Sequence, residues 1–188
     1  MQSLFRNDGR QQQDVKDITN DVGENSPPAI ADTDDGNYRT KLIQKLLSLP
    51  PAGFERLCQR LLREAGFEQV IVTGRSGDGG IDGYGVLQIN PFVSFRVLFQ
   101  CKRYKGSVSA PDVRNFRGAM MGRAEKGIIL TTGGFTAEAL NEARRDGAPA
   151  IELVNNEKLI EMLENLELGL IPRKTYDLDS HFFIAFEN

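Results

Sequence analysis

The chain has 188 residues, 40% hydrophobic and 26% charged, with a net charge of −3, which suits one folded domain with extensions. No apolar run approaches the ~20 residues a membrane helix needs, and two cysteines, Cys58 and Cys101, do not make a disulfide framework. Met1 to Arg10 lacks the apolar block of a signal peptide, so a cytoplasmic protein with reduced thiols is expected.

Residues 1–37 are rich in Gln, Asp, Asn, Ser and Gly, show no apolar periodicity and are interrupted by Pro27–Pro28. They cannot bury enough apolar surface to offset ordering, and a disordered or linker segment is expected. Tyr38 to Leu49 reads as a short helix with Leu42, Ile43, Leu46 and Leu47 on one face. Pro50–Pro51 punctuates the chain, and Pro51 suits the first turn of a second helix over 51–65. There Phe54, Leu57, Cys58, Leu61, Leu62 and Ala65 form an amphipathic stripe, with Arg56, Arg60 and Arg63 opposite. Gly66 is a stop signal. At about 100° per residue, Glu55 falls at the border of the stripe, next to Cys58 and Leu62.

A strand from Glu68 to Thr73 leads into the glycine-rich turn 74–80. A second strand runs from Ile81 to Ile89, Asn90–Pro91 breaks it, and a third covers Ser94 to Lys102. A helix from Ala110 to Met121, a buried strand over 126–131, a helix from Thr136 to Asp146, a strand over 150–154 and a helix over 156–164 complete the pattern. Hairpins followed by strand–helix–strand units imply an α/β domain over 38–170, with a mixed sheet and helices on both faces. The aromatic tail, 171–188, with Tyr176, Phe182, Phe183 and Phe186, is expected to pack back on it.

Charge is uneven along the chain. Residues 55–126 hold 12 basic and 7 acidic side chains, whereas 1–40 hold 4 and 8, and 127–188 hold 5 and 11. A basic middle third suits a phosphate-bearing partner, although on charge alone ordinary solvated surface is the better account.

The candidate chemistry lies in that third. Alternation along a strand puts Gln100 and Lys102 on one face and Cys101 on the other. A lysine closing the apolar run Val97-Leu98-Phe99 either meets a carboxylate or cleft, or emerges at the strand end into solvent. Asp82 follows the glycine-rich turn, whose glycines let other groups approach closely; the plain alternative is a residue that merely shapes the turn. Glu55 can lean over the sheet toward both, or simply sit as an exposed helix carboxylate. Together these residues supply two carboxylates, an amide oxygen and an ammonium at one sheet edge. Hard Mg²⁺ takes such oxygen ligands, and a nearby lysine can orient water and offset transition-state charge.

Phe54-Glu55-Arg56-Leu57, the run Thr73 to Gly83 and Phe99-Gln100-Cys101-Lys102-Arg103-Tyr104 resemble the catalytic domain of Mrr-like restriction endonucleases, within the PD-(D/E)XK nuclease superfamily. The resemblance extends over about 45–165, including Gly127 to Thr136. It implies a restriction-endonuclease-like core, with Asp82, Gln100 and Glu55 as metal ligands and Lys102 as the catalytic lysine. It also implies Mg²⁺ or Mn²⁺ as cofactor, double-stranded DNA as substrate, and a homodimer or larger homo-oligomer for a double-strand cut. Gln100 stands where the superfamily usually has an acidic residue, a feature of the Mrr branch, and Ile81 rather than a proline precedes Asp82. The family is associated with modified DNA through a separate reader domain, and residues 1–44 are too polar and too short to form one. Arg75, Ser76, Arg103, Lys105, Arg114 and Arg117 are candidate DNA contacts. His181, the single histidine, sits in the tail, away from any motif. The competing readings are a DNA-binding or partner-docking module without cleavage, and a repair or junction-resolving nuclease with the same chemistry.

Overall fold

A computed structural model describes residues 37–73, 79–174, 178–184 and 186. The expected linker, except its last residue, falls outside them, as do Arg75, Ser76 and Tyr176.

Two helices open the fold, α1 (Asn37–Ser48) and α2 (Pro51–Glu64). Three strands follow, β1 (Glu68–Val72), β2 (Gly83–Asn90) and β3 (Val93–Lys102). Then come β4 (Ser107–Val108), α3 (Ala110–Met120), β5 (Lys126–Thr131), β6 (Gly134–Phe135), α4 (Ala137–Ala143), β7 (Ile151–Val154) and α5 (Asn156–Asn165). A short α6 (Ser180–Ile184) lies in the tail. The main sheet runs β1-β2-β3-β5-β7, antiparallel through β3 and parallel beyond it, which is the expected mixed arrangement.

Alternation along the central strands sends successive side chains to opposite faces. Phe99, Leu130 and Val154 join Leu46, Phe54, Cys58, Leu61 and Leu159 under α1, α2 and α5. Leu98, Ile129 and Ile151 join Val113, Phe116, Met120 and Ala139 under α3 and α4. Three layers result, with a continuous apolar seam on each side of the sheet.

Three details differ from the sequence reading. β4 and β6 pair as a separate parallel sheet of two strands, each too short to leave a periodic signal. α4 stops at Ala143, three residues before the expected end. Among the described tail residues, Phe182, Phe183 and Phe186 are 59%, 45% and 71% exposed rather than packed on the domain. Phe182 meets Phe183 edge-on at 5.2 Å and Phe186 at 5.4 Å, so these rings shield one another instead. Among the described residues no helix is long and apolar enough to cross a membrane.

Candidate active site

The four residues singled out by the sequence meet in one cleft of about 350 Å³, lined by the first turn of α2, the approach to β2 and the end of β3. Pro51, Phe54, Glu55, Asp82, Gln100, Cys101, Lys102, Arg103 and Tyr104 form its walls. Burial of Phe54 and Cys58 orients α2 so that Glu55 stays half-buried at the cleft, beside the positive end of its helix.

Asp82 is tied to both neighbouring strands. Its backbone N–H donates to the Phe99 carbonyl at 3.0 Å, and its carbonyl accepts from the Thr73 N–H at 2.8 Å. Its Oδ2 accepts from the Cys101 N–H at 2.6 Å. The carboxylate is therefore held at the point where β3 delivers Gln100 and Lys102.

Gln100 is fixed by the turn before Asp82. Its Nε2 donates to the Gly80 carbonyl at 2.5 Å. Gly79 and Gly80 both have φ +80, a conformation that favours glycine, and each packs closely. A Cβ on Gly80 would lie 2.1 Å from Gln100 Nε2, and one on Gly79 would lie 2.4 Å from Ala119 Cβ. The Gln100 Oε1 atom is buried without a hydrogen-bond partner. Such an acceptor costs about 1–3 kcal/mol unless a cation or donor meets it.

Lys102 reaches toward the N-terminus of α3. Its Nζ donates to Asp112 Oδ1 at 3.0 Å and to the Tyr104 hydroxyl at 3.3 Å, and stands 5.1 Å from the Tyr104 ring centroid. The other oxygen of Asp112 accepts from the Ser109 N–H at 3.0 Å and from Ser109 Oγ at 2.6 Å, closing a capping box on α3. Burial disfavours the charged form of Lys102, but the hydrogen bonds to Asp112 and Tyr104 together outweigh it and raise its pKa. For Asp112, burial pushes upward, and the Ser109 and Lys102 hydrogen bonds overcome it and lower the carboxyl pKa. Each shift favours the ionised form, so the pair is charged through the neutral range. Cys101 has its thiol pKa driven well up, first by burial and then by Cys58 beside it, which makes it core rather than nucleophile.

The basic residues divide. Arg103 lines the cleft and donates from Nη1 to the Leu47 carbonyl at the end of α1, while its Nε is buried without a partner. Lys105 is exposed just beyond β3, and Arg114 has a half-exposed side chain. Arg117, named above as a candidate DNA contact, is only 7% exposed. It donates to Glu142 Oε1 and to the Glu142 carbonyl, clamping α3 to α4. Alignment of its apolar neighbours on α3 turned it inward, so its role here is packing. Arg117→Ala is expected to lower stability by about 3 kcal/mol, because it breaks a buried pair. Thermal melts of the variant beside the wild type would show the loss.

Asp112 and Ser109 are the site residues missed by sequence reasoning, and Tyr104, part of the motif, gains a contact to Lys102 that the sequence did not suggest. The spacing Ser109-Ala-Pro-Asp112 at a helix start was the available signal for the first two.

Among the described residues no three His, Cys, Asp or Glu side chains cluster as a metal site. The donors in the cleft are instead two carboxylates and the unpartnered amide oxygen of Gln100, all hard oxygens, which fits a magnesium-like ion.

A mixed sheet layered between helices, with a charged cleft where β2 and β3 diverge, is the architecture of the restriction-endonuclease-like nucleases. Solved structures agree. The DNA modification-dependent restriction endonuclease AspBHI superposes with a TM-score of 0.61 at 22% identity, over 74% of this chain and 37% of its own. MspJI restriction endonuclease, solved in complex with a 27-mer oligonucleotide, gives 0.53 at 26% identity, over 72% of this chain and 32% of its own. A family model described as restriction endonuclease, that of the Mrr catalytic domain, matches residues 46–163. The type IV methyl-directed restriction enzyme EcoKMrr of Escherichia coli (strain K12) is 32% identical over 153 residues, 76% of this chain. The chain belongs to the Mrr-type restriction endonuclease family. It spans 48% of the length of that relative.

Proposed function

We propose that this chain is a magnesium-dependent DNA endonuclease that hydrolyses phosphodiester bonds of double-stranded DNA, in defence against foreign or modified DNA. The observation that carries the reading is the convergence of Glu55, Asp82, Gln100 and Lys102 in one cleft, with the Gln100 amide oxygen buried and unpartnered. The methyl-directed activity in the name of the E. coli relative supports a modified duplex as substrate.

Glu55, Asp82 and Gln100 would hold Mg²⁺, with Mn²⁺ as a substitute. Bound there, the ion would supply Lewis acidity to a phosphoryl oxygen and make attacking water more acidic. Asp82 is held for that task by the Cys101 N–H, and Gln100 by the Gly80 carbonyl. Lys102, kept as an ammonium by Asp112, offsets charge that builds on the phosphate oxygens and orients the water. Asp112 acts only through Lys102. Arg103, Lys105 and Arg114 flank this arrangement as candidate phosphate contacts, and the earlier candidates Arg75 and Ser76 belong to the same proposal. Cutting both strands requires two such clefts, so a homodimer or larger homo-oligomer is the proposed working form. Its place of action would be the cytoplasm.

Plasmid cleavage tests the reading. Cutting in Mg²⁺ or Mn²⁺ should stop with excess EDTA and return when the metal is restored, and methylated and unmethylated plasmids should differ in rate. Intact DNA binding with no cleavage of any duplex in either metal would replace the nuclease by a binding module. Preference for branched over linear duplexes would point to junction resolution instead.

A further inference from the structure

Beside the proposed catalytic cleft lies a second, larger concavity, of whose residues the reading above names only Arg114. It is an open groove of about 650 Å³, lined by Gly79, Arg114, Asn115, Gly118, Ala119 and Arg123. Gly79 forms one wall, and the outer face of α3 with the residues just past it forms the other.

The groove is basic. Among the described residues two guanidiniums and a side-chain amide line it, and no carboxylate does. Arg123 is anchored through Nη1 to the Ala119 carbonyl at 3.3 Å and is otherwise exposed. Arg114 reaches Glu142 Oε2 at 3.5 Å, but that carboxylate is shared with Arg117 and with Arg145 at 3.9 Å. One carboxylate among three guanidiniums leaves an excess of positive charge along this side of α3. The floor between the cations is bare. Gly118 sits within the helix, where glycine is unfavourable, and a Cβ added there would meet nothing within 4 Å. Among the described residues, no packing requires a glycine at that point.

The groove is also physically joined to the cleft. Gly79 rests on Ala119 of α3, while the next residue, Gly80, holds the Gln100 amide. On the helix, Asp112 holds Lys102, and Gly118 lies six residues further on, about 9 Å along the axis at 1.5 Å per residue.

We infer that this groove is a second phosphodiester-binding site, in which Arg114 and Arg123 hold the DNA backbone beyond the cleft as it passes over the surface at Gly118. The site rests on the nuclease reading and adds to it where the duplex runs beyond the cut. It carries sequence-independent affinity, since its donors address phosphates and not base edges.

The test is the salt dependence of binding by the full chain to a short labelled duplex, in EDTA so that nothing is cut. Arg114→Ala and Arg123→Ala should each flatten the plot of log affinity against log salt by about 0.9, and the double variant by about 1.8. Gly118→Glu puts a carboxylate into the groove and should weaken binding severalfold, while its melting temperature stays level or rises because glutamate is the better helix former. If the double variant and Gly118→Glu bind with wild-type affinity and slope while the wild type cuts plasmid, the groove is not a DNA site and the nuclease reading stands. If the wild type neither binds nor cuts any duplex, both readings fall. Should an arginine variant fail to fold, Gly118→Glu decides alone.

Discussion

Lys102→Ala is expected to reduce single-turnover cleavage by about 10²–10⁴-fold, the range for removing one charge-stabilising or proton-handling group from a phosphoryl-transfer site. The loss should appear in the rate and not in DNA affinity, because the ammonium matters most when the phosphate oxygens gain charge. Stability should change little. Asp112 keeps both of its Ser109 hydrogen bonds without the lysine and is itself partly exposed, so the pair contributes about 1 kcal/mol or less. Circular dichroism and a thermal melt close to wild type would locate the defect in chemistry. Cleavage at the wild-type rate would remove Lys102 from the mechanism and, with it, the reason for Asp112 to hold it.

The second large effect is on folding. Gly83→Ala would set a Cβ 2.2 Å from the Ile71 carbonyl oxygen and 2.4 Å from the Phe99 ring. The first is backbone of the paired strand β1 and the second is a fully buried core ring, so neither can yield cheaply. A cost of about 3 kcal/mol or more follows from overpacking at such a point, which for a domain of this size lowers the melting temperature by roughly 10 °C. Gly83 directly follows Asp82, so cleavage should suffer as well, even in the cold where the variant is folded. A melt indistinguishable from wild type would show that β1 and β2 separate more easily than their register implies.

The two variants test different parts of the same design. On the proposed reading Lys102 acts at the cleft, whereas Gly83 lets β1, β2 and β3 approach closely enough to place Asp82 against Cys101. Both effects trace to the end of the sheet where the antiparallel hairpin meets the parallel strands.

Much of this was readable in the chain. The apolar stripe of α2 put Glu55 at its border, and the period of two along β3 put Gln100 and Lys102 on one face. Local periodicity decides such placements, because a helix or strand buries whichever side carries its apolar residues. The order of elements likewise implied a hairpin feeding parallel strands, which the sheet order β1-β2-β3-β5-β7 bears out. The resemblance to the Mrr family rested on ordered motifs, and the family match over 46–163 supports it.

Other features had no local signature. Arg114 and Arg117 stand three residues apart on α3, yet one is half-exposed and the other is buried against Glu142, a partner 25 residues further along. The pairing of Lys102 with Asp112 joins a strand end to a helix cap, and Ala119, next to Gly118 on α3, acquires its neighbour Gly79 from the residues just before β2. The sequence by itself determined which residues each element buries and which polar groups it presents, since those follow from period and pattern within a few turns of chain. Only the tertiary structure decided which charges meet, because the Coulomb and hydrogen-bond energies that pair them depend on distances set by the packing of elements far apart in the chain.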